Sequence, residues 1–271
     1  KDTVYEINKK QMDSLKTSHM KQVSYTFPFM STMISNDYKL EFDDYVKNVR
    51  DTVNIGTTIK QQTFIKGMRV ILVRNTLIGG VKLITGDSGT IVDFVKPPEE
   101  MTMGQLQASS QPSPQQAMIN SLHARYSKEN IPFKTKLFPI VKFDRFSRTM
   151  QILPVKWERK RLNPDTGRME EVYSVDAMPL IPAWAITSHR AQGCTISDIN
   201  IIIDCECMDW ADGAFYVATS RATSFDQVYL RNFKGYRQNK EAIKFYQNKL
   251  KLPPPKVYDK SDSKQLTMKF Q

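Results

Sequence analysis

Apolar residues in the first fifty positions recur at helical spacing. Over residues 3–16, Val4, Ile7 and Met12 or Leu15 share a loose face, which predicts a helix. EFDDYVKNVR at 41–50 sets Phe42, Tyr45, Val46 and Val49 on one side of a second, short helix. The period then shortens. RVILVR at 69–74 predicts a strand, followed by a turn at Gly79-Gly80 and another at Gly86-Asp87-Ser88-Gly89, where both glycines serve the turn. Thr90–Val95 resumes as a strand. Further β-like runs occupy Leu137–Phe143, Met150–Trp157 and Glu171–Val175, and Asn163-Pro164-Asp165-Thr166-Gly167 predicts a hairpin turn between the last two.

Toward the end, Leu180–Ile186 is apolar and β-prone, and Ile199–Asp204 is a second strand candidate. Trp210–Arg221 predicts a helix, Gln227–Arg231 a final strand, and Glu241–Leu250 a short helix. Strand, polar loop, strand and helix in that order predict a parallel α/β arrangement, in which chemistry sits at strand ends. Residues 97–120 break the pattern: 101–120 carry no Lys, Arg, Asp or Glu. They read as a flexible loop or insertion. Pro253-Pro254-Pro255 ends regular structure ahead of a polar tail.

The polar loop after Ile186 concentrates candidate chemistry. Thr187, Ser188, Gln192 and Thr195 offer neutral donors and acceptors, His189 and Arg190 add ring and guanidinium donors, and Gly193 permits φ above zero or close ligand approach. Phosphate oxygens need such donors. Arg221 closes the following helical run, and its five-donor fork suits a phosphate better than a lysine does. The other reading of the same residues is a capped turn with an arginine satisfying helix-end carbonyls.

Charge narrows the partner. The 271 residues carry 39 Lys and Arg against 28 Asp and Glu, a net charge of +11, which favours an anionic partner. Lys134, Lys136, Lys142, Arg145, Arg148, Lys156, Arg159, Lys160, Arg161 and Arg168 crowd the β-rich middle. Trp157 beside Arg159 and Lys160 is either a strand-facing patch or a packed tryptophan on a solvated hairpin. Tyr25, Phe27, Phe29 and Tyr38 near Lys21 and Lys39 stack bases or pack in a core. The three cysteines, Cys194, Cys205 and Cys207, lack zinc spacing and read as reduced thiols of an intracellular protein. No run of apolar residues reaches membrane-spanning length, so no membrane partner is expected. Lys1 in place of an initiator methionine is expected of a fragment or processed product.

Two strings make a family visible. AWAITSHRAQGCT resembles motif V, and GAFYVATSRA motif VI, of the Pif1/RecD/Dda-like superfamily 1B DNA helicases. Upstream, GMRVILVRN followed by TGDSGTIVDF resembles the place where such helicases leave their second RecA-like core. The resemblance implies the C-terminal half of a helicase: a RecA-like parallel sheet core, P-loop NTPase-like but without Walker A, with an inserted small SH3-like β-barrel. The implied boundaries are 1–75 and 179–252 for the core, 76–178 for the insert with a flexible loop near 97–125, and 253–271 for a mobile tail. The first helix is then the one after motif IV, with the strand before it largely missing.

The resemblance also implies roles. Arg221 is the arginine finger, and Gln192 and Gly193 join it at the nucleotide. Thr187, His189, Arg190 and Thr195, with Trp157, Arg159 and Lys160, contact single-stranded DNA. His189-Arg190 stands where the family often has Asn or His then Lys, and Thr219 where many members have Leu. Asp212 is expected to cap the motif VI helix. ATP and Mg2+ would be shared with an N-terminal RecA-like half that carries Walker A, because this chain has no GxxxxGK[ST] and supplies no metal ligand. Alone, a monomer of this chain is expected to be inactive. The alternative is a non-enzymatic nucleic-acid-binding module on the same scaffold.

Overall fold

A computed structural model describes residues 2–18, 21–26, 31–33, 39–54, 61–78, 80–99, 114–128, 133–164, 166–196, 199–206, 212–235 and 239–249. Phe27, Phe29, Tyr38, Cys207, Trp210, residues 100–113 of the expected loop and the expected tail lie outside them. Backbone contacts divide the chain into two compact units, Lys1–Ala185 and Ile186–Gln271.

The first unit opens with helix α1 (Asp2–Thr17), strands β1 (Gln22–Thr26) and β2 (Ser31–Met33) and helix α2 (Lys39–Asn54). Short strands follow: β3 (Gln61–Ile65), β4 (Arg69–Leu72), β5 (Thr76–Ile78), β6 (Val81–Leu83) and β7 (Ser88–Val95). Helix α3 (Pro114–Lys128) precedes β8 (Phe138–Phe143), β9 (Thr149–Gln151), β10 (Val155–Leu162), β11 (Met169–Ala177) and β12 (Leu180–Pro182).

Alternation builds the main sheet. Ile91 and Phe94 of β7, with Phe138, Val141 and Phe143 of β8, are almost fully buried. The strand order is β12-β4-β7-β8-β9, and every pairing is antiparallel. A second sheet, β10-β11-β2, is also antiparallel. These ladders bear on the expected parallel sheet and barrel. The described strands of this unit contain no parallel pair, and their pairings form an open sheet rather than a closed barrel. β4 and β12 join the same sheet as β7. The reason is local: Val70 and Leu180 belong to the same buried cluster as Ile91 and Phe138.

The expectation of a loop through residue 125 is also corrected, because α3 occupies Pro114–Lys128. Ile119, Leu122, His123 and Tyr126 are buried at spacings of three and four, and Phe133 stacks edge-on against His123. Within the predicted strand at 150–157, Pro154 lacks an N–H, and the ladder breaks into β9 and β10. Gly89 does not serve a turn. A Cβ there would stand 2.5 Å from the Lys142 carbonyl oxygen and 2.8 Å from Phe143 Cα, so glycine lets β8 lie against β7. Gly86, at φ 101°, is the turn glycine.

Two buried carboxamides complete the unit. Gln62 Nε2 donates to the Met178 carbonyl at 3.0 Å, and Met178 N donates back to Gln62 Oε1 at 3.1 Å. Asn8 does the same for Ala185, at 2.8 and 3.0 Å. Each side chain thereby substitutes for a neighbouring strand and satisfies a backbone pair that would otherwise be orphaned.

The second unit holds a four-residue helix α4 (Ser188–Ala191), β13 (Ile201–Asp204), α5 (Ala214–Thr219), β14 (Val228–Arg231) and α6 (Lys240–Lys249). β13 and β14 pair in parallel, from Ile201 opposite Val228 to Asp204 opposite Arg231. This is the one parallel strand pair among the described residues, and β12, from the strand expected before the polar loop, pairs antiparallel with β4 instead.

Candidate functional site

The polar loop of the second unit forms a compact turn. Thr187 is the N-cap of α4, and its hydroxyl accepts from Arg190 N at 3.4 Å. Gln192 follows as the C-cap, and Gly193 takes φ +82° with open space around the position of a Cβ. Glycine is therefore required here by conformation and not by crowding. Cys194 is buried, with its amide on Ala191 O and its thiol on Arg190 O. Around this core His189, Gln192, Gly193 and Thr195 are exposed, and Arg190 is half-buried. Burial pushes the Arg190 guanidinium below its ordinary range.

Arg221 lies against this turn. Its Nε donates to Val217 O at 2.9 Å, one terminal nitrogen to Cys194 O at 3.2 Å, and the other to Ser220 Oγ at 2.9 Å. Ser220 Oγ donates in turn to Val217 O at 3.3 Å. Just beyond, Ile196 N donates to Arg221 O at 2.8 Å, and Ile196 pairs with Ala222 in a parallel bridge. The chain after the turn and the chain after α5 thus run side by side. Residues 27 positions apart present the exposed turn and the guanidinium together. The structure thus shows the arginine satisfying carbonyls of the helix end and of the polar turn, which is the second of the two sequence readings.

Some expectations change at α5. Its N-cap is Gly213, at φ +79° and without a side-chain cap bond, so the cap expected of Asp212 is corrected. A glycine reaches the left-handed entry angle that an aspartate adopts only with strain. Thr219 Oγ1 donates back to Phe215 O at 2.9 Å, a bond that leucine could not make.

Trp157, Arg159 and Lys160 stand on β10 of the first unit. The Trp157 ring is half-buried beneath the Arg74 guanidinium, 4.7 Å from its centroid, and Trp157 Nε1 is buried without a hydrogen-bond partner. Arg159 and Lys160 are exposed, and Lys160 pairs with Glu158 at 2.9 Å. Acidic neighbours offset much of the basic crowd: Lys156 pairs with Glu171, Arg161 with Glu41 at 3.0 Å, and Arg145 with Asp87 at 2.8 Å. Burial opposes charge on Glu171, yet the Lys156 ammonium and the Ser174 hydroxyl hold its carboxyl below the usual range.

Sequence reasoning missed Asp176, which is 1% exposed on β11 and faces Arg125 of α3 at 3.0 Å. Burial raises its carboxyl despite the opposing charges of Arg125 and Lys156. The only signal is the company it keeps: Asp176 falls inside an unbroken buried run from Val172 to Met178, where a carboxylate is rare.

Among the described residues, no group of three or more His, Cys, Asp or Glu could hold a metal ion. No described helix is long and apolar enough to cross a membrane.

No protein-family model matches the chain. It is 26% identical over 186 residues to the ATP-dependent DNA helicase PIF4 of Trypanosoma brucei brucei, covering 61% of this chain and 22% of that protein. It is 31% identical over 122 residues to the ATP-dependent DNA helicase PIF1 of Candida albicans, covering 43% and 13%. The solved Candida albicans Pif1 helicase superposes with a TM-score of 0.56 at 23% identity, over 90% of this chain and 47% of that one. A Pif1 helicase double mutant from Bacteroides gives 0.50 at 17% identity, over 92% and 43%. The chain spans about a fifth or less of the curated relatives and under half of the solved ones. It therefore shares the mixed α/β fold of Pif1 helicases across a part of those proteins.

Proposed function

We propose that this chain is the C-terminal half of an ATP-dependent DNA helicase that moves along single-stranded DNA. The observation that carries the reading is the contact of Arg221 with the turn Thr187–Thr195, since one arginine and one donor-rich turn are what a second core contributes to a shared nucleotide cleft. The likeness to proteins named as DNA helicases supports it.

In this reading the chain contributes the second RecA-like core, and an N-terminal half supplies the first, with the Walker A lysine and the magnesium carboxylates. ATP with Mg2+ supplies the transferable phosphoryl group. Arg221 is the finger that neutralises charge on that group. Gln192 and Gly193, in the turn whose Cys194 carbonyl meets Arg221, bind the nucleotide with it. Thr187, His189, Arg190 and Thr195 contact the strand, the Thr187 hydroxyl less freely because it already caps α4. Arg159 and Lys160 add backbone charge. Trp157 supports the patch from beneath Arg74, which covers one face of its ring.

The test is strand-stimulated ATP turnover in the full-length protein. Arg221→Ala should lower the turnover rate about 10³-fold or more, the scale of an arginine finger, while strand affinity stays within twofold, by the order of a surface change. Turnover at the wild-type rate would remove the finger assignment. A full-length protein that binds strand without any ATPase would favour the non-enzymatic binding module.

A further inference from the structure

We propose that the cleft between β9 and α3 is a docking site for an extended segment of a partner protein, one that presents an apolar side chain with a carboxylate two residues away. The cleft belongs to the first unit and shares no residue with the polar turn. Its volume is about 170 Å³. Sites for drug-sized ligands run to roughly 300–1,000 Å³, so this one suits a single side chain. Ile78, Met118, Met150 and Leu153 give it an apolar lining, and the two methionines adapt to different shapes. Arg148 is the only charged residue that lines it, among the described residues, and no aromatic ring does.

The strand supplies the backbone half of the site. β9 ends its sheet, with β8 as its only strand neighbour among the described residues. All three residues of β9 line the cleft, so the cleft follows the free edge. The ladder decides which groups face that edge. Ile152 N donates to Pro139 O at 2.9 Å, one step beyond the pairing of Gln151 with Ile140. Hydrogen-bonded residues alternate along an antiparallel strand, so Met150 also turns its backbone toward β8, while Thr149 and Gln151 turn theirs outward. Outward N–H and C=O groups of this kind are what an added strand pairs with. Met118 of α3 forms the facing wall, and Gln151 Nε2 ties the strand to Lys96 O at 2.7 Å. Side chains of an added strand alternate, so one fills the apolar space and the next on that face, two residues away, reaches the Arg148 end of β9. A carboxylate there meets a guanidinium. A nucleic acid would find one cation and no ring to stack on.

The experiment measures binding of fluorescein-labelled peptides to the full-length protein by fluorescence polarisation. The probe is TDTLTDT, with TDTSTDT lacking the apolar anchor and TKTLTKT reversing the charge. TDTLTDT should bind about tenfold more tightly than TDTSTDT, the scale of one buried apolar side chain, and more tightly than TKTLTKT. Arg148 is exposed, so Arg148→Glu should fold normally and reverse the order of TDTLTDT and TKTLTKT. Arg168→Glu makes the same charge change on the exposed hairpin and should leave the order intact. Thr149→Pro deletes one outward N–H without breaking the ladder to β8 and should weaken TDTLTDT about two- to tenfold. Equal binding of the three peptides, no binding of TDTLTDT, or equal effects of the two arginine changes overturns the proposal. Displacement of TDTLTDT by oligo-dT would assign the cleft to nucleic acid, and self-association abolished by Arg148→Glu would assign it to a second copy; either result also overturns it.

Discussion

Replacing Gln62 by leucine isolates what a single buried carboxamide contributes. Gln62 is 3% exposed, and both of its hydrogen bonds end on the backbone of Met178, which is fully buried. Leucine fills nearly the same space but returns neither bond. The Met178 N–H and C=O would then be buried without partners, and each orphaned group costs about 1–3 kcal/mol. Burial of the added apolar surface offsets about 1 kcal/mol of the sum. The net loss is about 1–5 kcal/mol, a large share of the roughly 5–15 kcal/mol that holds a domain folded. At about 2–4 °C per kcal/mol for a unit of this size, the midpoint of thermal unfolding should drop by several degrees or more. Urea unfolding followed by far-UV circular dichroism provides the free energy, with Gln11→Leu on the exposed face of α1 as a control expected within about 0.5 kcal/mol. A loss no larger than the control would refute the claim that this side chain substitutes for a missing strand neighbour.

Other consequences are equally direct. Gly89→Ala forces a Cβ to within 2.5 Å of the Lys142 carbonyl, and the overpacking should lower stability by about 1–3 kcal/mol in the same urea assay, whereas Gly80→Ala meets open space and should show only the modest strain of its positive φ. Asp176 and Asp144 should show opposite pH slopes. Burial raises the Asp176 carboxyl, so its contribution favours folding at low pH and is lost as pH rises from about 3.9 through the folded value. Burial also opposes charge on Asp144, but the Arg69 and Ser88 bonds outweigh it and hold that carboxyl low, so its contribution is present above about 3.9 and lost as pH falls through the folded value. Unfolding of Asp176→Asn and Asp144→Asn across pH 3–7 reads both signs, and slopes of the same sign would contradict the burial account. Lys160→Ala should reduce the slope of log affinity against log salt for single-stranded DNA by about 0.7, the value for one lost phosphate contact, and an unchanged slope would remove it from the strand interface.

Sequence periodicity located most elements because their burial is one-sided. α1, α2, the strands beginning at Arg69 and Phe138, and the hairpin at Asn163–Gly167 all stand where spacing and turn residues set them. α3 was hidden by composition: a stretch without charges read as a loop, although Ile119, Leu122 and Tyr126 already carried helical spacing. Gly89 was read as a turn residue because its real constraint, the approach of β8, is fifty residues away in sequence. The same limit applies to sheet order, since β4, β7 and β12 find one another through contacts that no local pattern encodes. At the site, the donor-rich turn and Arg221 were visible as residue types, but their meeting depended on the Ile196–Ala222 bridge. The ion pairs of the hairpin were not legible, because a run of basic residues does not reveal that Glu171 on the neighbouring strand faces Lys156.

The account stands or falls on whether Arg221 meets the transferring phosphoryl group. Binding of ADP with aluminium fluoride, compared with ADP alone, to full-length wild type and Arg221→Ala measures this directly. The account predicts a loss of at least about 100-fold for the transition-state mimic, with ADP affinity nearly unchanged. Equal effects on the two ligands, or none on either, would contradict it.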